Sequence, residues 1–280
     1  MQTLSPLPPE FLNLGSDPTL LRDEIKLAIQ EMMDGNPRSL QTEIGVSEFG
    51  TPCTRKLVYK LGNVPTPSRV HGTWPQMVGT MCHSGLADML DSWNKRLTDI
   101  GEYPRFYTEA EVTVGTFGNG RILRGHSDGY DRCTASVLDW KIVGQTTLKK
   151  MRRDGNPGQT YEVQVQGYGV GFHNAGLPVR DVHIFALPQG GNLNDMVHWS
   201  APFDPAPVWE NLNRIHQLTL AGETMGFAEL AALSITRPDY CEYCPWFSPA
   251  NPDPKKGRCP GSEEIVAQRA TSMIPPRPFG

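Results

Sequence analysis

The sequence predicts a mixed α/β protein, a central sheet with helices on both faces, and three observations carry that prediction. The spacing of apolar residues changes from near four to near two at about Tyr107. Glycine-rich turns then separate three alternating stretches. Helical patterns lie on either side, giving the order helix, meander, helix, strand, strand, helix.

Residues 1–15 are proline-rich and are expected to be a flexible segment. Asp17 and Pro18 supply an N-cap and a first-turn proline for a helix ending near Gly35, with Leu21, Ile25, Ala28 and Met32 as its apolar face. A short helix is expected over residues 51–62, "TPCTRKLVYKLG", with Cys53 near its start. Another, from Pro75 to Leu97, carries Met77, Met81, Leu86 and Leu90, with His83 on it. Residues 16–106 thus form an N-terminal helical region.

The meander follows in "TEAEVTVG", "GRILRGHSDGYD" and "SVLDWKIVG". The "TFGNG" between its first two strands reads as a hairpin turn, since no helix follows it directly as a phosphate loop requires. Residues 160–176 can form a helix despite their glycines, closed by Gly176 and followed by Pro178. "VRDVHIFALP" and "DMVHWSAP" read as strands. Asp204 and Pro205 open a long helix running to about Leu233, which completes a core at 107–233. A cysteine segment at 234–265 and a flexible tail at 266–280 follow, and no internal repeat is visible.

Composition bounds the function. The 280 residues are 38% hydrophobic and 20% charged, ordinary for one main globular domain with appendages. No apolar run is long enough to span a bilayer, and the first residues lack the basic-then-apolar layout of a secretory signal. Both point to a soluble, cytoplasmic protein with no membrane partner. A net charge of −4 gives no whole-molecule attraction to nucleic acid, so a polyanion would need local basic clusters or metal ions. "LKKMRR" at 148–153 and "KKGR" at 255–258 are such clusters, each by itself an ordinary solvated face.

The chemistry concentrates in "GHSDGYDRCTASVLDWK", residues 125–141. Alternation along the second strand places Asp139 and Lys141 on one face, with Leu138 and Trp140 on the other. The turn from Asp131 to Ser136 can bring Asp128 across from Asp139. Two carboxylates brought together repel, and a divalent cation between them resolves the repulsion. Phosphodiester hydrolysis needs this arrangement: a hard cation held by carboxylates activates water and neutralises the phosphate, and a lysine stabilises developing charge. The acid-x-lysine triplet also occurs at Glu24 to Lys26 and at Asp253 to Lys255, so alone it fits a surface ion pair equally well. His83 could add an imidazole, and Gln164 and Tyr168, one helical turn apart, can face one substrate. A structural histidine, or a half-buried tyrosine beside a solvated glutamine, is the alternative for those positions.

Taken in order, His83, "GHSD" ending in Asp128, "LDWK" with Asp139 and Lys141, and "QVQGY" with Gln164 and Tyr168 resemble the RecB-like branch of the PD-(D/E)xK nucleases, over about residues 50–260. The resemblance implies a restriction-endonuclease-like α/β core. It implies that His83, Asp128, Asp139 and the Trp140 carbonyl bind catalytic Mg2+ or Mn2+, that Asp128, Asp139 and Lys141 are catalytic, and that Gln164 and Tyr168 hold substrate. The implied activity is a DNA exonuclease acting on single strands or ends, of a free-standing phage or prokaryotic kind used in recombination, with a RecT-like annealing protein as implied partner. If phage-encoded, it would work in the host cytoplasm. A nuclease of CRISPR adaptation and an inactive DNA-binding module are the competing readings.

Six cysteines in a chain expected to be intracellular argue for metal rather than disulfides. Cys241, Cys244 and Cys259 crowd together, and with Cys53 they resemble the iron-sulfur staple of the AddB nuclease domain and of the Cas-four exonucleases. The resemblance implies a 4Fe-4S cluster that ties the N- and C-terminal segments together. Four thiolates suit Zn2+ equally well on chemical grounds. The fourteen residues between Cys244 and Cys259 exceed the family's usual spacing and are expected to bulge as a loop. Cys82 and Cys133 are expected to be buried, small apolar side chains.

Overall fold

The computed structural model of the chain describes residues 18–34, 43–67, 73–238 and 241–272. Its strands are β1 (Phe106–Phe117), β2 (Arg121–Asp131), β3 (Ser136–Val143), β4 (Asp181–Pro188) and β5 (Val197–Pro202), neighbours in chain order within one sheet. Among the described residues the helices are α1 (Pro18–Asp34), α2 (Thr54–Leu61), α3 (Trp74–Asp99), α4 (Gln145–Asp154), α5 (Gln159–Asn174), α6 (Ala206–Met225), α7 (Phe227–Leu233) and α8 (Glu263–Ser272). β1, β2 and β3 form the expected antiparallel meander, β4 runs parallel to β3, and β5 returns antiparallel. A parallel step requires a crossover, and α4 with α5 supplies it.

The sheet is covered on both faces, as expected. Helix α5 lies on one face against Val112, Tyr130, Val137 and Ile184, and it is buried along most of its length. Its glycines make that possible: a Cβ on Gly171 would lie 2.5 Å from Val112, and one on Gly167 would lie 2.9 Å from Val46. An alanine at either position would force the helix off its neighbours, at about 1–3 kcal/mol. The other face is covered by α3, where Leu90 packs with Phe106 and Trp140. A capping box between Thr73 and Gln76 starts that helix, which fixes the height of His83 above the sheet.

Several expectations need correction. Leu21, Ile25 and Met32 are exposed, and the inward side of α1 carries Met33 instead. The long helix expected after Pro205 is two helices, because Gly226 adopts φ +92, a left-handed conformation that ends α6 and starts α7. The basic residues of 148–153, by contrast, form the solvated face expected of them, on helix α4 with Leu148 and Met151 buried beneath. Helix α8 enters the stretch expected as a tail. The Asp17 cap and the segment 1–15 lie outside the described residues, as does 273–280 of the tail. Cys133 is exposed rather than buried, while Cys82 is half-buried. Among the described residues no helix is long and apolar enough to cross a membrane.

Candidate active site

The β2–β3 hairpin delivers the two acids. Its pairing closes at Gly129 opposite Leu138, so the next residues outward, Asp128 and Asp139, stand beside each other where the strands begin to part. Asp128 occupies that opening: its Oδ2 accepts a 2.7 Å hydrogen bond from the Trp140 backbone N–H, and its Oδ1 lies 2.9 Å from His83 Nδ1 on α3. The expected contribution of Trp140 was its carbonyl, but the interaction seen here is made by its N–H.

Asp139 is fully buried on the α5 face. Lys141 Nζ donates to its Oδ1 at 3.0 Å and lies 2.7 Å from its Oδ2, which has no aligned hydrogen-bond donor. From α5, Gln164 Nε2 reaches the same Oδ1 at 3.4 Å and donates to the Tyr168 hydroxyl at 2.9 Å. Gln164 and Tyr168 therefore share one face, as their spacing predicts, and bond to each other. Tyr161 lies one turn earlier on that face, with its ring 5.1 Å from the Lys141 ammonium. The sequence reading missed it, although a third position three residues before Gln164 was the available signal.

The electrostatics follow from burial. Burial, offset in part by Lys141 and reinforced by Asp128, pushes the Asp139 carboxyl up to about 6. Burial also acts to raise Asp128, but His83, Lys141 and the Trp140 N–H outweigh it and hold that carboxyl below its usual range. For Lys141, burial disfavours the charge, yet Asp139 and Asp128 outweigh it and raise the pKa, so the ammonium persists. The site thus holds two acids of opposite tendency and one cation.

His83, Asp128, Lys141, Gln164 and Tyr168 line a groove of about 930 Å³, whereas Asp139 is fully buried beside Lys141. Lys60 and Arg124 bring positive charge to its walls. The donor set fits a hard divalent cation: carboxylate oxygens and one imidazole, with a buried oxygen of Asp139 lacking an aligned donor. Among the described residues, one triad of ligand atoms lies within 4.8 Å of one another, those of His83, Glu109 and Asp128. Glu109 was not foreseen. Its signal was the strand "TEAE", whose glutamate stands across β1 from Asp128 in register, between the pairs Thr108 with Gly129 and Ala110 with Ser127.

In a separate cavity, Cys53, Cys241, Cys244 and Cys259 come together with Lys56, Tyr59 and Phe247. The long Cys244 to Cys259 spacing does bulge: Asp253 pairs with Arg258 to fold it into a small hairpin. The Cys259 N–H then bonds the Trp246 carbonyl at 2.7 Å, which returns the last cysteine to its partners. Arg55 on α2 ties this end of the chain down through the carbonyls of Ala231, Ala232 and Ser234, and its Nη1 lies 3.8 Å from Cys259 Sγ. Tyr59 and Trp246 add bonds to the Pro254 and Val64 carbonyls. Burial pushes the Cys244 thiol up to about 11, so without a cation to stabilise the thiolate it stays protonated.

No protein-family model matches the chain, and no curated protein matches it. Among solved structures the chain is similar to an alkaline exonuclease from Laribacter hongkongensis, at 12% identity and a TM-score of 0.42 over 69% of this chain and 93% of that one. It is also similar to a protein designated SSO0001, at 16% identity and a TM-score of 0.44 over 76% of this chain and 88% of that one. A phage-related exonuclease from Haemophilus somnus is similar at 12% identity and a TM-score of 0.33, over 65% of this chain and 96% of that one.

Proposed function

We propose that this chain is a metal-dependent DNA exonuclease whose active site is His83, Asp128, Asp139 and Lys141. The observation that carries the reading is Asp139, a fully buried acid beside a second acid, with one oxygen lacking an aligned donor and its carboxyl raised to about 6. Two acids and a buried lysine brought together beside a groove suit a cation and a reaction.

In this reading His83, Asp128, Asp139 and the Trp140 carbonyl hold Mg2+ or Mn2+, which supplies Lewis acidity and a nucleophilic water. Lys141, kept charged by its carboxylate neighbours, stabilises negative charge developing on the phosphoryl oxygens. Gln164 fixes the orientation of Asp139 and of the Tyr168 hydroxyl. Arg124 and Lys60 draw the phosphate backbone into the groove. DNA ends as substrate, a RecT-like annealing partner and a role in phage or prokaryotic recombination in the cytoplasm rest on the sequence resemblance.

The same proposal assigns Cys53, Cys241, Cys244 and Cys259 to a 4Fe-4S cluster. The thiols share one cavity, the sequence resemblance favours iron over zinc, and Arg55 and Lys56 offset the thiolate charge.

Replacing Asp139→Ala should abolish Mn2+-dependent DNA degradation while the circular dichroism spectrum stays unchanged. Degradation at the wild-type rate would remove the assignment. Anaerobically purified protein should be brown and contain about four irons; a colourless preparation containing zinc would remove the cluster.

A further inference from the structure

We infer that Glu109 is a further ligand of the divalent cation, binding it together with His83 and Asp128. The inference deepens the metal-dependent reading above and rests on it. Three observations converge on this glutamate. Its carboxylate, an Asp128 oxygen and a His83 ring nitrogen lie within 4.8 Å of one another. Octahedral donors at about 2.1 Å from an ion stand about 3 Å apart when adjacent and about 4.2 Å when opposite, so that triad already spans a suitable shell. The three side chains also come from three elements, β1, α3 and β2, which the fold holds independently.

The backbone explains how the carboxylate arrives there. In a regular strand Thr108 and Val112 would point to the same face. Here the Thr108 hydroxyl donates to Asp91 on α3, whereas Val112 packs against Gly171 on α5, so the alternation switches between them. Glu109 sits at the switch with φ +46, a left-handed conformation that a glutamate rarely adopts. The pairs Thr108 with Gly129 and Ala110 with Ser127 bracket it and hold it across from Asp128.

The chemistry is coordination without a covalent step. His83 Nδ1 and Asp128 Oδ1 lie 2.9 Å apart, the spacing of adjacent ligands, so one cation can take both in place of the hydrogen bond between them. With Glu109 included, the shell has one imidazole and two carboxylates from these residues, a donor set suited to Mn2+ and Mg2+.

The test is Mn2+ titration of the full protein, without DNA, following the signal of free aqueous Mn2+ by electron paramagnetic resonance. Wild type, Glu109→Gln, Glu111→Gln and Asp128→Asn are compared, with circular dichroism confirming the fold. Glu111 removes the same charge from the same strand, where it faces Arg124 and His126 across 3.9 and 3.7 Å. Coordination by Glu109 predicts at least about tenfold weaker Mn2+ binding in Glu109→Gln and less than about twofold in Glu111→Gln. Wild-type affinity in Glu109→Gln, or equal weakening in the two variants, overturns the inference. If Asp128→Asn loses Mn2+ while Glu109→Gln keeps it, the inference alone falls. If wild type binds no Mn2+, the nuclease reading falls with it.

Discussion

Asp131 and Asp139 belong to the same hairpin, both are buried, and they are treated oppositely by their surroundings. Asp131 is saturated: Arg105 donates to both of its oxygens at 2.9 and 2.6 Å, and the Cys133 N–H and Thr134 hydroxyl complete its shell at 3.0 and 2.9 Å. Burial alone would raise its pKa, but those donors outweigh burial and lower it. Asp139 has Lys141 and a long contact to Gln164, and burial prevails. One acid closes the turn, and the other is left to be completed from outside. The difference teaches that donor supply, rather than burial or position in the hairpin, separates a structural carboxylate from a reactive one.

The largest expected consequence lies in activity. Asp139→Asn should lower Mn2+-dependent nuclease turnover by about three orders of magnitude, equivalent to about 4 kcal/mol of transition-state stabilisation. Asp131→Asn should leave turnover per folded molecule unchanged, measured at a temperature where both variants are folded. A comparable loss in the two variants would break the contrast.

Stability should report the structural acid. Removing the Asp131 charge loses its ion pair with Arg105 and weakens its turn bonds, so Asp131→Asn should cost about 2–3 kcal/mol in urea unfolding. Asp139→Asn should also destabilise, because the buried Lys141 ammonium then keeps only Asp128 as an acid.

Metal should sharpen the distinction further. At ten times its dissociation constant, Mn2+ should stabilise wild type by about 1.4 kcal/mol, a rise of about 3–5 °C in Tm. Asp131→Asn should retain that rise, and Asp139→Asn should lose most of it.

A further contrast is the pH dependence of the metal-free protein. The Asp139 carboxyl is raised to about 6, above its unfolded value of about 3.9, so folding binds its proton more tightly. Its contribution is therefore present at low pH and is lost as pH rises from about 4 through about 6. Asp131 has the opposite sign: its lowered pKa contributes stability above about pH 4 that disappears as pH falls through the folded value. Urea midpoints measured with chelator should show Asp139→Asn removing the first slope and Asp131→Asn removing the second.

Much of the fold was legible because its signals are local. Period-two alternation marked the three meander strands, β4 and β5 were also read as strands, and the "SVLDWK" alternation placed Asp139 with Lys141. The turn between β2 and β3 was enough to set Asp128 beside Asp139. Glu109 was not legible as a ligand, because its approach depends on a switch of face within β1. Asp131 was legible as a turn residue, but its ion-pair partner was not: Arg105 precedes β1 and meets it only across the completed sheet. The break of the last long helix was written in Gly226, but a single glycine in an otherwise helical pattern is ambiguous until the packing of Phe227 against Gly62 and Gly222 is known.

The most direct measurement is release of nucleotides from end-labelled linear DNA by wild type, Asp139→Asn and Asp131→Asn, each with Mn2+ and again after chelation. Wild type and folded Asp131→Asn should digest the DNA at matching rates, chelation should stop both, and Asp139→Asn should release almost nothing. Digestion that survives chelation, or that proceeds in Asp139→Asn at the wild-type rate, would contradict a metal-dependent reaction centred on that buried acid.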